Sequence, residues 1–241
     1  MFDNISKFGI TSRAFNNNIC SLKKYNPRDF VSDPYRRIDD TPFGGGAGMV
    51  MKIEPLELAL NKASTEQQEL GSDKPLKVYL SPQGKKVNQQ MINDLSKHDG
   101  IIFVCGRYEG VDERFIERNI DLEISLGDFV VSGGEVPAMM VIDAIIRQLD
   151  GALGHEDSAV ADSFMNGLLD YPHYTKPRVY EGIEVPEVLL SGDHKQIEKW
   201  RLKMSLWRTY QRRPDLLEER DLNKIEYGLL AELVNQFDPK G

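Results

Sequence analysis

Three glycine-marked turns, each placed where a short apolar strand should end, constrain this 241-residue chain more than any other feature. They are Leu80-Ser81-Pro82-Gln83-Gly84, Gly106-Arg107-Tyr108-Glu109-Gly110, and Ser125-Leu126-Gly127-Asp128-Phe129-Val130-Val131-Ser132-Gly133-Gly134-Glu135. Glycine at the carboxyl end of a strand lets backbone N–H and C=O groups approach a ligand that a side chain would hold away. Three such turns within about sixty residues predict one pocket. The apolar runs that feed them, at 76–80, 101–105 and 122–126, alternate with helical patterns, which is the rhythm of strand, crossover and parallel strand.

The helical patterns are explicit. Residues 89–98 place Met91, Ile92 and Leu95 on one face, 111–119 reads as a short helix, and Glu54-Pro55 opens a run through Leu56, Leu58 and Leu60. From Pro137 to Leu149 the chain is apolar nearly all round, so this helix must be covered on most sides, by a large core or by a second subunit. Gly151 to Ser158 reads as a linker or mobile loop, and turn-rich sequence beyond it leads into helix-like segments to the end.

With 40% hydrophobic and 28% charged residues, the chain suffices for one large or two modest domains. Cys20 and Cys105 stand far apart without a CxxC, and no histidine has ligand spacing to another, so neither disulfides nor a zinc site are expected. A net charge of −8 speaks against a polyanionic partner, yet residues 195–213 hold seven basic and one acidic side chain. Within that stretch Ile197, Trp200, Met204 and Trp207 mark an apolar face, with Lys195, Lys199 and Lys203 on another. There is no run of 18 apolar residues and no signal-peptide pattern at the start; the expectation is a cytoplasmic protein with no membrane contact.

Four further features carry candidate chemistry. The run Ile38-Asp39-Asp40-Thr41-Pro42-Phe43-Gly44-Gly45-Gly46-Ala47-Gly48-Met49 is neither a P-loop nor a dinucleotide fingerprint; it reads as a flexible loop or as bare backbone for a base or phosphate. Glu109 is a surface charge or a carboxylate that positions a cation or polar group. Arg147 complements a helix terminus or meets an anionic partner beside apolar surface. Asp162 serves equally as the N-cap of a following helix.

Taken in order, the glycine loop, Ser81 to Gly84, Gly106 to Gly110, Ser125 to Pro137, Asp162-Ser163-Phe164, Pro172 to Pro177 and Leu190-Ser191-Gly192 resemble the bacterial tRNA (guanine-N1)-methyltransferase family, TrmD, over nearly the whole chain. The resemblance implies S-adenosylmethionine-dependent methylation of the guanine at tRNA position 37. It also implies a SPOUT-type parallel α/β sheet tied in a deep trefoil knot, with a small helical carboxyl-terminal domain, where periodicity alone leads to an ordinary doubly wound sheet. The domains are then 1–153 for the donor, 154–168 for a linker and 169–241 for tRNA, in an obligate homodimer with its active site at the subunit interface.

By that resemblance Tyr79, Leu80, Ser81, Pro82, Gly84, Gly106, Tyr108, Gly110, Ser125 to Val131 (Leu126, Gly127, Asp128, Phe129 and Val130 included), Gly133, Gly134 and Pro137 hold the donor. Asp162 is the base, Arg147 stabilises charge on the guanine, and Glu109 positions donor or substrate, with a magnesium ion (Mg2+) implied for the family. Gly44, Gly45, Gly46 and Gly48 line the guanine site, and Tyr174, Lys176, Lys199, Arg201 and Arg208 meet the tRNA backbone. Two departures stand out. Ala47 and Phe43 replace an expected proline and tyrosine. Family members also open with a short apolar strand and a Phe-Pro-Glu turn ahead of Met1-Phe2; a sheet without that strand has an open apolar slot, and the expectation is a start assigned about ten residues late. The rivals are a doubly wound nucleotide-dependent enzyme and a non-catalytic RNA-binding protein.

Overall fold

In the computed structural model, which describes residues 1–153 and 162–237, the three apolar runs form one parallel sheet. The chain divides into two units, Met1–Glu156 and Asp157–Gly241. The first unit runs α1 (Gly9–Asn16), β1 (Asp39–Asp40), β2 (Val50–Met51), α2 (Ile53–Glu69), β3 (Leu76–Lys86), α3 (Gln89–Leu95), β4 (Ile101–Cys105), α4 (Glu113–Asn119), β5 (Leu122–Ser125) and α5 (Glu135–Ile146).

The sheet order is β4-β3-β5, with Leu76 to Leu80 facing Ile101 to Cys105 in register on one side, and Val78 to Leu80 facing Leu122 to Ile124 on the other. Because β3 is central it is buried on both faces, as the consecutive apolar residues Val78, Tyr79 and Leu80 require. Val78 and Leu80 pack with Ile92 and Leu95 of α3, Ile124, and Ala138 and Val141 of α5. Tyr79 and Val104 turn the other way, onto Leu56 and Leu60 of α2 and Phe115 of α4. Helices therefore cover both faces, which is the α/β arrangement the alternation predicts. Beside the outer edge of β4, unpaired among the described residues, lies a cavity of about 1330 Å³ of mixed lining, with Phe15, Ile102, Val104 and Ile142 as well as Lys23 and Glu66 on its walls.

The all-apolar helix resolves into two faces. Pro137, Ala138, Val141, Ile142 and Ile146 are buried, whereas Val136 and Met140, one turn apart, are 47% and 58% exposed. The helix stops at Ile146, short of the expected Leu149, and Arg147 caps it with its N–H on the Asp143 carbonyl at 3.1 Å.

One electrostatic cluster ties the amino-terminal segment to α2. Glu66 accepts hydrogen bonds from Lys23 at 2.7 Å and Tyr25 at 2.8 Å and pairs with Lys62 at 3.0 Å, which holds its carboxyl down at about 2, the Lys23 bond being the largest cause. A depressed carboxyl contributes stability above its unfolded value, near 4.5, and loses it as pH falls through the folded one. The melting-temperature advantage of wild type over Glu66→Gln is therefore expected to be constant above about pH 5 and to shrink between pH 4.5 and 2. A pH-independent difference would contradict it.

The second unit contains a hairpin of β6 (Val179–Tyr180) and β7 (Ile183–Glu184), then α6 (His194–Arg212), α7 (Pro214–Glu218) and α8 (Lys224–Phe237). Asp193 caps α6 by accepting from the Lys195 and Gln196 amides, and Pro214 fits the first turn of α7. The core is Leu168, Leu206 and Leu229, joined by Leu202, Leu217, Leu222 and Leu230. Here the sequence reading of α6 needs correction. The buried face carries Leu206, Ser205 and Thr209, while Ile197, Trp200, Met204 and Trp207 are only half-buried. At 3.6 residues per turn the two stripes lie on opposite sides of the helix. Thr209 makes the polar stripe viable: its hydroxyl accepts the Leu169 amide at 2.9 Å and donates to the Ser205 carbonyl at 2.7 Å, so nothing is buried unsatisfied there.

Candidate functional site

The three glycine turns meet at the carboxyl ends of the three parallel strands. The first is an excursion within β3: pairing with β5 reaches Leu80 opposite Ile124, then resumes with Lys85 opposite the same Ile124. Residues 81–84 bulge between those pairs, with the Gln83 amide donating to Ser81 Oγ at 3.2 Å. Gly84 lies directly on the next strand, since a Cβ there would sit 2.4 Å from the Ile124 nitrogen.

The second and third turns are joined by backbone. Gly134 N–H donates to the Gly106 carbonyl at 2.9 Å, and Arg107 and Gly133 form an antiparallel bridge. Arg107 Nε then donates to Glu135 Oε1 at 2.8 Å, locking the turn to the start of α5. The first and third turns are linked by Val87 N–H on the Ser125 carbonyl at 2.8 Å and by Lys86 with Asp128 at 3.0 Å. Ser125 Oγ also exchanges hydrogen bonds with Gly127, shaping the third turn.

The glycine loop belongs to the same end of the sheet. It connects β1 to β2, and Met51 N–H donates to the Gly110 carbonyl at 2.9 Å while Glu109 N–H donates to the Met49 carbonyl at 3.0 Å. Gly44, Gly45, Gly46 and Gly48 all have positive φ. At Gly48 the requirement is also steric, because a Cβ would lie 2.4 Å from the Glu109 side chain. The fold thus brings Glu109 onto the loop.

The residues assigned to the donor divide by exposure. Tyr79 is buried beneath the second turn, where burial pushes its hydroxyl above the usual phenol range and a Cβ on Gly106 would lie 2.8 Å from its oxygen. Ser81, Ser125, Gly134 and Pro137 are likewise buried and contribute backbone or packing. Tyr108, Phe129, Val130 and Val131 project apolar side chains outward, Val130 being 84% exposed. Cys105, at the end of β4, is a structural thiol, pushed by burial to about 12.

In the second unit Asp162 is half-buried and its carbonyl accepts the Met165 amide at 3.3 Å, in a turn with no helix behind it, so the N-cap alternative is not realised. Tyr174 packs beside Trp200 at 6.3 Å between rings, and Arg201 lies over the Tyr171 ring at 4.9 Å. Lys176 and Lys199 are exposed and Arg208 is half-buried. Sequence reasoning passed over Arg107 and Glu135 as a pair; their opposite charges flanking two glycine turns were the available signal.

Parallel strands whose end turns converge as bare backbone, in a chain whose second unit is built around a basic helix, define an α/β protein of the strand-end ligand-binding class. Residues 1–219 match the family described as tRNA (guanine-1)-methyltransferase TrmD. A protein of Chromobacterium violaceum named tRNA (guanine-N(1)-)-methyltransferase is 55% identical over 238 residues, which is 99% of this chain and 93% of that one. Proteins of the same name from Pseudomonas syringae and Dechloromonas aromatica are 54% and 55% identical, covering 99% and 98% of this chain and 94% and 93% of theirs. The chain belongs to the TrmD family of tRNA (guanine-1)-methyltransferases.

Proposed function

We propose that the protein transfers a methyl group from S-adenosylmethionine to N1 of the guanine at tRNA position 37, next to the anticodon. The observation that carries the donor site is the zipping of Gly106 to Gly110 against Ser125 to Glu135 through Gly134 N–H and the Arg107–Glu135 pair. These turns offer backbone donors and acceptors with apolar cover from Phe129, Val130 and Val131, which suits an adenine ring with a polar tail. When bound, S-adenosylmethionine supplies the methyl group.

The chain's own groups do the rest. Asp162 accepts the N1 proton, so that the N1 lone pair can form the new bond as the sulfur–methyl bond breaks and its electron pair stays on sulfur. Arg147 stabilises the negative charge that develops on the purine. Glu109 and the Gly44 to Gly48 loop orient the base. Among the described residues no group of three or more His, Cys, Asp or Glu converges as a metal site. Magnesium therefore stays in this reading only as a family expectation, and no step runs through it.

The reading includes a homodimer with a SPOUT fold and a deep trefoil knot. The exposed apolar run Phe129 to Val131, with Val136 and Met140 of α5, supports a covering second subunit. Residues 1–153 bind the donor, 154–168 link, and 169–241 bind tRNA through Tyr174, Lys176, Lys199, Arg201 and Arg208. Asp162 of one subunit acts at the donor turns of the other. Among the described residues no helix is long and apolar enough to cross a membrane; a tRNA substrate supports the reading of a cytoplasmic enzyme.

The test is radiolabelled methyl transfer to an unmodified tRNA transcript. Label is expected in the wild-type transcript and not in one carrying adenine at position 37. Label that survives the replacement would refute the assigned position, and no label with either would refute the activity.

A further inference from the structure

The aromatic stripe that the core of the second unit leaves half-exposed lies on its most basic helix. Trp207 and Tyr210 are stacked, with ring centroids 5.7 Å apart and planes 19° from parallel. Phe237 of α8 closes one side, 5.8 Å from Trp207 at 42°. Between these three rings, Gln211 and Pro214 lies a hollow of about 530 Å³, roomy enough for one nucleobase. Arg208 and Arg212 neighbour the rings in the sequence of α6. Lys203, one turn before Trp207, is held by Glu232 of α8 at 2.8 Å.

Two properties decide the occupant. The helix that carries the rings is cationic, with seven basic and one acidic side chain over residues 195–213 in a chain of net charge −8, while the hollow's own lining is uncharged, so a polyanion is complementary to the helix and another apolar helix is not. The contact surface is flat and aromatic, which suits the π-face of an unpaired base; a base paired within a duplex does not expose that face. We propose that Trp207 and Tyr210, in the hollow bounded by Phe237, stack an unpaired nucleobase of the tRNA while Arg208 meets the adjoining phosphate. The proposal rests on the tRNA reading above and adds a stacking platform to its backbone contacts.

The experiment is equilibrium binding of the unmodified transcript to the full-length protein across a salt series. Trp207→Ala is expected to raise the Kd for tRNA by about 5- to 150-fold with S-adenosylmethionine affinity unchanged. Trp207→Phe, which keeps an aromatic face, is expected to retain most of the affinity. Stacking involves no counterion, so Trp207→Ala keeps the slope of log K against log salt, whereas Arg208→Gln reduces it by about one.

A second measurement does not depend on how well Trp207→Ala folds. The chain has two tryptophans, Trp200 and Trp207. In Trp200→Phe the remaining fluorescence reports Trp207, and tRNA is expected to quench it. Unquenched fluorescence on binding, or Trp207→Ala binding as tightly as wild type, would overturn the stacking while leaving the enzyme reading intact. A wild-type protein that binds no tRNA would overturn both.

Discussion

Asp162→Asn is expected to lower the rate constant of methyl transfer by about 100- to 10,000-fold, with affinities for tRNA and S-adenosylmethionine unchanged. The substitution is nearly isosteric and leaves the Asp162 carbonyl to accept the Met165 amide, so the turn persists. What is lost is a basic oxygen for the N1 proton. An effect on kcat with KM preserved marks an interaction made on the way to the transition state, whereas a structural role would raise KM or lower stability instead. Single-turnover kinetics with enzyme in excess over tRNA reads this directly, and transfer at the wild-type rate would remove Asp162 as the base. Mixing Asp162→Asn with Arg147→Ala tests its placement: if the base acts across the dimer, a mixed dimer has one site with both groups intact. Recovered activity on subunit exchange is the expected result; none would put the two groups in the same chain.

Much of the turn-bearing end of the sheet was legible because glycine reports backbone geometry through sequence alone. The turns at 81–84, 106–110 and 125–135 follow three apolar runs, and those runs are β3, β4 and β5. Their convergence could be expected from parallel strands, whose carboxyl ends share one edge. The contacts that fasten them could not. The Arg107–Glu135 pair and the Gly48–Glu109 approach join residues far apart in sequence, and no local pattern specifies such meetings. The stripe on α6 misled for a related reason. That helix has an apolar stripe and a mixed one of Leu202, Ser205, Leu206 and Thr209, and its choice between them depends on Leu168 and Leu229, which lie outside it, and on Thr209 being able to satisfy the Leu169 amide. Hydrophobicity alone favours the tryptophans; the buried hydroxyl is what a periodicity count leaves out.

Gly84→Ala is expected to be the most damaging single-methyl change in the first unit, costing about 3 kcal/mol and lowering the melting temperature by roughly 6–12 °C. The reason is what the methyl would meet. At Gly84 it would lie 2.4 Å from the Ile124 nitrogen and 2.5 Å from the Glu123 carbonyl carbon, both backbone atoms of β5. Neither can yield without separating β3 from β5, the pairing that resumes at Lys85 and Lys86. Gly100 supplies the control, because a methyl there would also fall within 3 Å of other atoms, namely the side chains of Gln67 and Ser72. The Gln67 amide and the Ser72 hydroxyl can rotate aside and the Ser72 Cβ need shift only slightly, so Gly100→Ala is expected to cost about 1 kcal/mol, chiefly the Gln67 bond to the Ile101 carbonyl. Since the Ser81 to Gly84 excursion is also one wall of the proposed donor site, Gly84→Ala should weaken S-adenosylmethionine binding at least about tenfold even where the protein stays folded, and Gly100→Ala should not. Thermal melts and calorimetric titration of the two variants separate the effects. Equal losses at both positions would mean that crowding alone governs the cost; donor affinity retained in folded Gly84→Ala would detach the first turn from the site.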